Sequence, residues 1–179
     1  MACDISLGRL EPCKDSNGGL KAVYFVNWGD VISFTYGSGD QTDAIASFDS
    51  DDASVNAYRY ELKGNSSFTQ TITSSRENGT TFFQQELALT LKKLSIVDNK
   101  QIKLLAYGRP QVIVEDNNGN LFYCGTEHGM DVTGGTIVSG AAMGDLSGYT
   151  LTLTGMEPVP ANFLLNDLTT TGFTVVITD

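Results

Sequence analysis

The chain has 179 residues, 41% of them hydrophobic, and a formal net charge of −10. That length suits one globular domain with a sizeable core, while its apolar runs fall far short of the about 18 residues a membrane-spanning helix needs. The start, Met1-Ala2-Cys3-Asp4, has neither the basic nor the apolar region of a leader, so folding in a cytosol and no membrane partner are expected. The charge is unevenly spread: residues 1–109 hold 13 acids and 11 bases, whereas residues 110–179 hold 8 acids and no Lys or Arg. An acidic surface repels nucleic acid and offers nothing to neutralise phosphates. In a conduit the same repulsion lets DNA slide, and solubility alone is the competing account. Three cysteines, Cys3, Cys13 and Cys124, without a Cys-x-x-Cys pair argue against a disulfide framework and a closed zinc site, and read as free, mostly buried thiols.

Residues 1–20 are polar, with Leu7, Leu10 and Pro12 as apolar anchors, and read as an arm that is ordered or partner-dependent. Residues 21–179 read as one domain. Two short β-branched and aromatic runs, 21–27 and 31–36, flank Trp28-Gly29-Asp30, which predicts a hairpin with Trp28 in the core. Residues 37–54, with Asp40, Asp43, Asp49, Asp51 and Asp52, read as a long acidic loop that builds no core. Residues 55–62 alternate again around Tyr58, Tyr60 and Leu62. The strongest pattern is a long hairpin. Its first arm sets Phe68, Gln70 and Ile72 against Thr69, Thr71 and Thr73, Asn78-Gly79 supplies the turn, and the return arm sets Phe83, Gln85, Leu87, Leu89 and Leu91 against Phe82, Gln84, Glu86, Ala88 and Thr90.

A helix of roughly ten residues follows, with Asp98 as cap, Gln101 reaching back, Val97 and Ile102 as staple, Gly108 as left-handed stop and Pro110 beyond it; Ile102 and Leu105 form its buried stripe. Residues 111–115 and 121–124 flank a second turn, Asp116 to Asn120. Glycines then break residues 126–147 into loops and a short strand at 136–138. Tyr149, Leu151 and Leu153 alternate with Thr150, Thr152 and Thr154 until Pro158 and Pro160, and residues 173–177 form a last strand. Many short strands with one helix predict an all-β, antiparallel sandwich or barrel with one short flanking helix and a long hairpin.

No constellation carries chemistry. Asp49-Ser50-Asp51-Asp52 opens like a calcium loop but has Ser54 and Tyr60 where glycine and a bidentate Glu belong. His128, the one histidine, can be drawn with Asp131 and Ser139, yet no nucleophile elbow exists. Gly37-Ser38-Gly39 is not a phosphate fingerprint, and Glu115 and Asp116 point to opposite faces of a strand. No enzyme, cofactor or metal is expected.

The opening Met1-Ala2-Cys3-Asp4-Ile5, the stretch Pro12-Cys13-Lys14-Asp15-Ser16-Asn17-Gly18-Gly19-Leu20-Lys21-Ala22-Val23-Tyr24, and the later Val112-Ile113-Val114-Glu115-Asp116-Asn117-Asn118-Gly119 and Gly140-Ala141-Ala142-Met143-Gly144-Asp145-Leu146-Ser147-Gly148-Tyr149 resemble small virion proteins of tailed phages, including crAss-like and marine phages of Bacteroidota. The resemblance implies a tail-tube-like sandwich assembled into stacked homo-oligomeric rings, six-fold or, for a head-to-tail connector, twelve-fold. It further implies a place in the virion tail beside other tail or portal-proximal proteins, with genomic DNA passing unbound. On that reading Thr69, Thr71, Thr73, Glu77 and Glu86 face the lumen; were the Glu86 side packed inward instead, Arg76 or Lys92 would have to pair with it. The alternative is a carbohydrate-binding or host-adhesion sandwich of the virion, for which Trp28, Tyr58 and Tyr60 are the candidate aromatic platforms.

Overall fold

The computed structural model describes residues 7–51 and 54–177; Cys3, Asp52 and the first residues of the resemblance lie outside them. The strands are β1 (Leu20–Val26), β2 (Ser33–Tyr36), β3 (Ile45–Asp49), β4 (Val55–Glu61), β5 (Ser67–Ser75), β6 (Thr80–Lys92), β7 (Gln111–Asp116), β8 (Leu121–Cys124), β9 (Asp131–Val138), β10 (Gly148–Glu157), β11 (Asn162–Phe163) and β12 (Phe173–Val176). Helix α1 (Ile96–Tyr107) joins β6 to β7, and the single turn α2 (Leu168–Thr171) precedes β12. The strands form a six-stranded sheet in the order β11-β8-β7-β1-β4-β12, a four-stranded sheet β5-β6-β10-β9 and the pair β2-β3. All named strand pairs are antiparallel except β12 with β4. The fold is therefore the expected all-β, sandwich-like class with antiparallel sheets and a short helix.

Composition explains the layering. Strand β1 is apolar at every position but Lys21, and β7 carries the apolar run Val112-Ile113-Val114, so the sheet they centre is covered on both faces. On one face Val23, Phe25, Val112 and Val114 meet Leu87, Leu89, Tyr149, Leu151 and Leu153 of the four-stranded sheet, with Ile102 of α1 alongside. On the other face Ala22, Tyr24, Val26, Ile113 and Tyr123 meet Val31, Ile45, Leu164, Leu168 and Phe173, with Phe34 and Phe48 packed against them. Strands β6 and β10, by contrast, alternate through their central residues, 85–90 and 149–157. Only one of their faces is covered.

Several expectations are corrected. Trp28-Gly29-Asp30 does not close a hairpin: β1 is paired on both sides, by β4 and β7, and β2 pairs β3 instead. A strand apolar on both faces is worth most in the middle of a sheet, whereas β2, with Phe34 alone half-buried, serves as a cover. Residues 37–54 do contribute to a core. Ile45 is fully buried, and the Phe48 ring lies 4.3 Å from that of Phe173, while the acids beside them stay outside. Trp28 is 41% exposed, and Leu7 and Leu10 stand in solvent instead of anchoring the arm. Among its described residues the arm is tied to the sheet near its end, where Asn17 and Asn118 exchange hydrogen bonds and the Asn117 amide donates to the Gly18 carbonyl.

The helix begins earlier than expected, because Ser95 is the cap: its hydroxyl accepts from the Asp98 N–H at 3.0 Å. Asp98 is thus a first-turn residue, Val97 is exposed, and Gly108 sits at φ −90°, outside the left-handed region. The stripe itself is as expected, with Ile102 buried and Leu105 packed on the core. Strand β9 is longer than residues 136–138. Its extension depends on Gly135, where a Cβ would fall 2.4 Å from the Thr150 carbonyl oxygen. Of the described cysteines, Cys124 is buried and Cys13 is exposed.

A polar group spans β1 and β7: Lys21 and the Tyr24 hydroxyl both donate to the Glu115 carboxylate. Burial pushes the Glu115 carboxyl up, but those two hydrogen bonds outweigh it and leave it below its usual range; burial and then the Glu115 carboxylate push Tyr24 up to about 12. A depressed carboxyl stabilises the fold above its unfolded value, near 4.3, and that stability is lost as the pH falls through the folded value. A raised tyrosine acts in the opposite sense, stabilising below about 10 and losing this as the pH climbs towards 12. Glu115→Gln is expected to flatten the acid limb of melting temperature against pH below about 5. An unchanged limb would place the acid sensitivity in other carboxylates.

Candidate functional site

The open face of the four-stranded sheet gathers most of the residues named from sequence. Register sets Thr69 opposite Glu86, Thr71 opposite Gln84 and Thr73 opposite Phe82. The same rows continue into β10, where Thr154 is opposite Glu86, Thr152 opposite Ala88 and Thr150 opposite Thr90, and then into β9, where Thr136 is opposite Thr150. The Thr136 and Thr150 hydroxyls are hydrogen-bonded at 2.6 Å. The result is a threonine surface with Glu86 within it. Thr69, Thr71, Thr73 and Glu86 are all exposed on this face, whereas Glu77 lies apart in the turn at the hairpin tip. That turn is made by Asn78-Gly79, with Gly79 at φ 63°.

Glu86 does not pair with Arg76 or Lys92, since the Glu86 side faces outward. Lys92, at the end of the same row, donates to the Lys63 carbonyl at 2.9 Å. The inward side of the hairpin is held by two glutamines that stand opposite each other. Gln70 accepts from the Ala161 N–H at 2.8 Å, and Gln85, buried, accepts from the Gly125 N–H at 3.0 Å. Past them the hairpin overhangs the sandwich. Ile72 is in phase with the inward row yet 67% exposed, because β10 ends opposite Phe83.

The edges of this sheet are β5 and β9. Strand β5, Ser67-Phe68-Thr69-Gln70-Thr71-Ile72-Thr73-Ser74-Ser75, has no charge and no proline over nine residues. Strand β9 has a single charge, Asp131, at its start. Edge strands that must stay unpaired usually carry lysine, proline or a short length. Strand β5 has none of these protections; β9 lacks lysine and proline but carries a bulge at Thr133, between the Thr152–Gly134 and Leu153–Val132 pairs.

Two other places combine chemical groups. Trp28, Tyr58 and Tyr60 line one groove of about 670 Å³ between α1 and the six-stranded sheet, with Asn27, Asp98, Gln101 and Arg109 among its polar groups. The Arg109 guanidinium lies 4.0 Å over the Trp28 ring, and Tyr60 meets Phe25 edge-on at 5.1 Å. Sequence named the three aromatics but gave no sign that α1 and Arg109 would wall them in. The second place is the end of β10, where the Glu157 side chain is fully buried and accepts N–H groups from Glu127 and His128.

His128 therefore faces Glu157, at 3.3 Å, and not Asp131 or Ser139. Glu157 had a signal that was missed: it lies in phase with Tyr149, Leu151 and Leu153, an acid on the inward row. The remaining candidates are occupied locally. Asp49 accepts from Ser33, Glu115 from Lys21 and Tyr24, and Asp116 holds the turn through Asn118 and Asn120. No helix among the described residues is long and apolar enough to cross a membrane. No family model, curated protein or solved structure matches the chain.

Proposed function

We propose that the protein is a structural virion protein forming stacked homo-oligomeric rings, a tail tube or head-to-tail connector, around a DNA channel, with no enzymatic activity. The observation that carries this reading is the four-stranded sheet, which combines two edges free of lysine and proline with a threonine surface open to water. A β5 edge of one copy laid against the β9 edge of the next is a heterologous contact, which closes into a ring when the rotation permits. Six copies would supply 24 strands. At a spacing of about 4.8 Å and a tilt of about 40°, such a barrel has a backbone diameter of about 48 Å, leaving a lumen wider than a DNA duplex. Hydroxyls and sparse acids on its wall neither neutralise phosphates nor read bases. The overhanging hairpin and the exposed arm suit contacts with the next ring or with neighbouring tail or portal-proximal proteins.

Negative-stain microscopy of the purified chain is expected to show rings, six-fold for a tube and twelve-fold for a connector. Deleting residues 75–80 and closing the turn is expected to abolish assembly and leave a folded subunit, as judged by circular dichroism. Normal rings from that variant would remove the hairpin from the interface, and a wild-type chain that stays monomeric at high concentration would overturn the reading. The groove that gathers Trp28, Tyr58 and Tyr60 favours a second reading, a glycan-binding or host-adhesion module, since exposed aromatic faces stack on sugar rings. A monomer that retains glycans on an array, and loses them on Trp28→Ala, would favour it.

A further inference from the structure

We propose that Glu157, His128 and Glu127 form a binding site for one divalent transition-metal ion of the zinc class. The three side chains offer donor atoms that all lie within 4.8 Å of one another. Glu157 is the centre of the argument. Its side chain is fully buried, and its only ion-pair partner among the described residues is His128. A buried carboxylate is costly unless paired.

The geometry points the same way. His128 Nδ1 and Glu157 Oε2 are 3.3 Å apart. A charge-assisted hydrogen bond to a carboxylate is normally about 2.7–2.9 Å, whereas two ligands bound tetrahedrally at about 2.0–2.1 Å are separated by about 3.3 Å. The pair is spaced as neighbouring ligands of one ion. Glu127, exposed and next in the chain, can swing its carboxylate to a third position, leaving the fourth to water.

The surroundings hold the central carboxylate in place. The peptide N–H of His128 donates to Glu157 Oε1 at 2.8 Å, and that of Glu127 lies 3.3 Å from both oxygens. The turn carrying these donors is closed by Gly125 and Gly129, at φ 70° and 73°. A Cβ on Gly125 would fall 2.7 Å from the Gly129 carbonyl carbon, so the two ends of the turn are in contact. Such outer-sphere support orients ligands before the ion arrives. One imidazole with two carboxylates suits zinc better than calcium or magnesium, which take six or more oxygens or retain their water.

Calorimetric titration of the chelator-treated full chain with zinc chloride tests the site, in a Cys3→Ser/Cys13→Ser background so that thiols do not compete. One ion per chain is expected. His128→Ala and Glu127→Ala alter exposed side chains and are expected to keep the fold. His128→Ala should weaken zinc binding by more than the about 10–100-fold that loss of an outer-sphere partner costs. No heat at millimolar zinc, wild-type affinity in both variants, or equal affinity for magnesium would each overturn the site.

Discussion

Leu153→Ala should destabilise the fold by about 2–5 kcal/mol, while Thr152→Ala, one residue away on the same strand, should stay within about 0.5 kcal/mol of the parent. Leu153 is completely buried, lies opposite Leu87 and sits in the core shared by the four- and six-stranded sheets. Truncating it leaves a cavity that packed strands on both sides cannot collapse into. Thr152 stands between Ala88 and Gly134 on the open face and loses little. Urea denaturation of both variants measures the contrast. Its functional meaning is direct, since the face tolerant of change is the one proposed as a channel wall. Comparable losses at the two positions would mean that the threonine surface is packed against something and is not open.

What could be read in advance was whatever is local. Alternation in β10 and in the hairpin, and the Asn78-Gly79 turn, depend on neighbours in sequence, and both elements stand where those signals put them. Strand pairing is not local. The run at residues 21–27 looked like half of a hairpin because a glycine turn followed it, yet a strand apolar on both faces is worth more at the centre of a sheet, and its partners β4 and β7 come from far along the chain. Strand β3 was hidden because Asp43, Asp49 and Asp51 dominate the local composition while Ile45 and Phe48 alone carry the packing. The helix cap was misplaced by three residues for a chemical reason: Ser95 and Asp98 are both capping types in one box, and the β-branched Ile96 and Val97 between them resemble a strand end.

The candidate surfaces divide in the same way. Thr69, Thr71, Thr73 and Glu86 share a face because a period of two fixes it once the strand is recognised. Glu77 was grouped with them by charge alone and sits at the tip. The aromatic groove needed α1 and Arg109 to complete it, and no pattern around Trp28 announces either. Glu157 was legible and overlooked, since an acid in phase with a buried row requires a partner.

If the chain forms the proposed ring, Glu77→Lys with Glu86→Lys should turn a ring that does not bind DNA into one that holds it. The wild-type chain is expected to show no measurable affinity for duplex DNA even at low salt, because acids and hydroxyls leave the counterion atmosphere of the duplex undisturbed. Glu86 is exposed between Thr69 and Thr154, and lysine there places an ammonium group on the proposed channel wall, repeated in every copy of the proposed ring. Each phosphate so neutralised releases condensed counterions, so affinity should appear with a steep inverse dependence on salt. Assembly should be unaffected, since neither side chain lies on the backbone edge proposed to close the ring. DNA passage in an ejection assay should slow or stall. The single variants separate the contributions: Glu86→Lys carries most of the effect if the sheet face lines the lumen, and Glu77→Lys carries it if the hairpin tip narrows the channel between rings. Wild-type binding to duplex DNA with a steep salt slope, or unchanged ejection in the double variant, would remove both residues from the lumen and leave the acidity as a device for solubility.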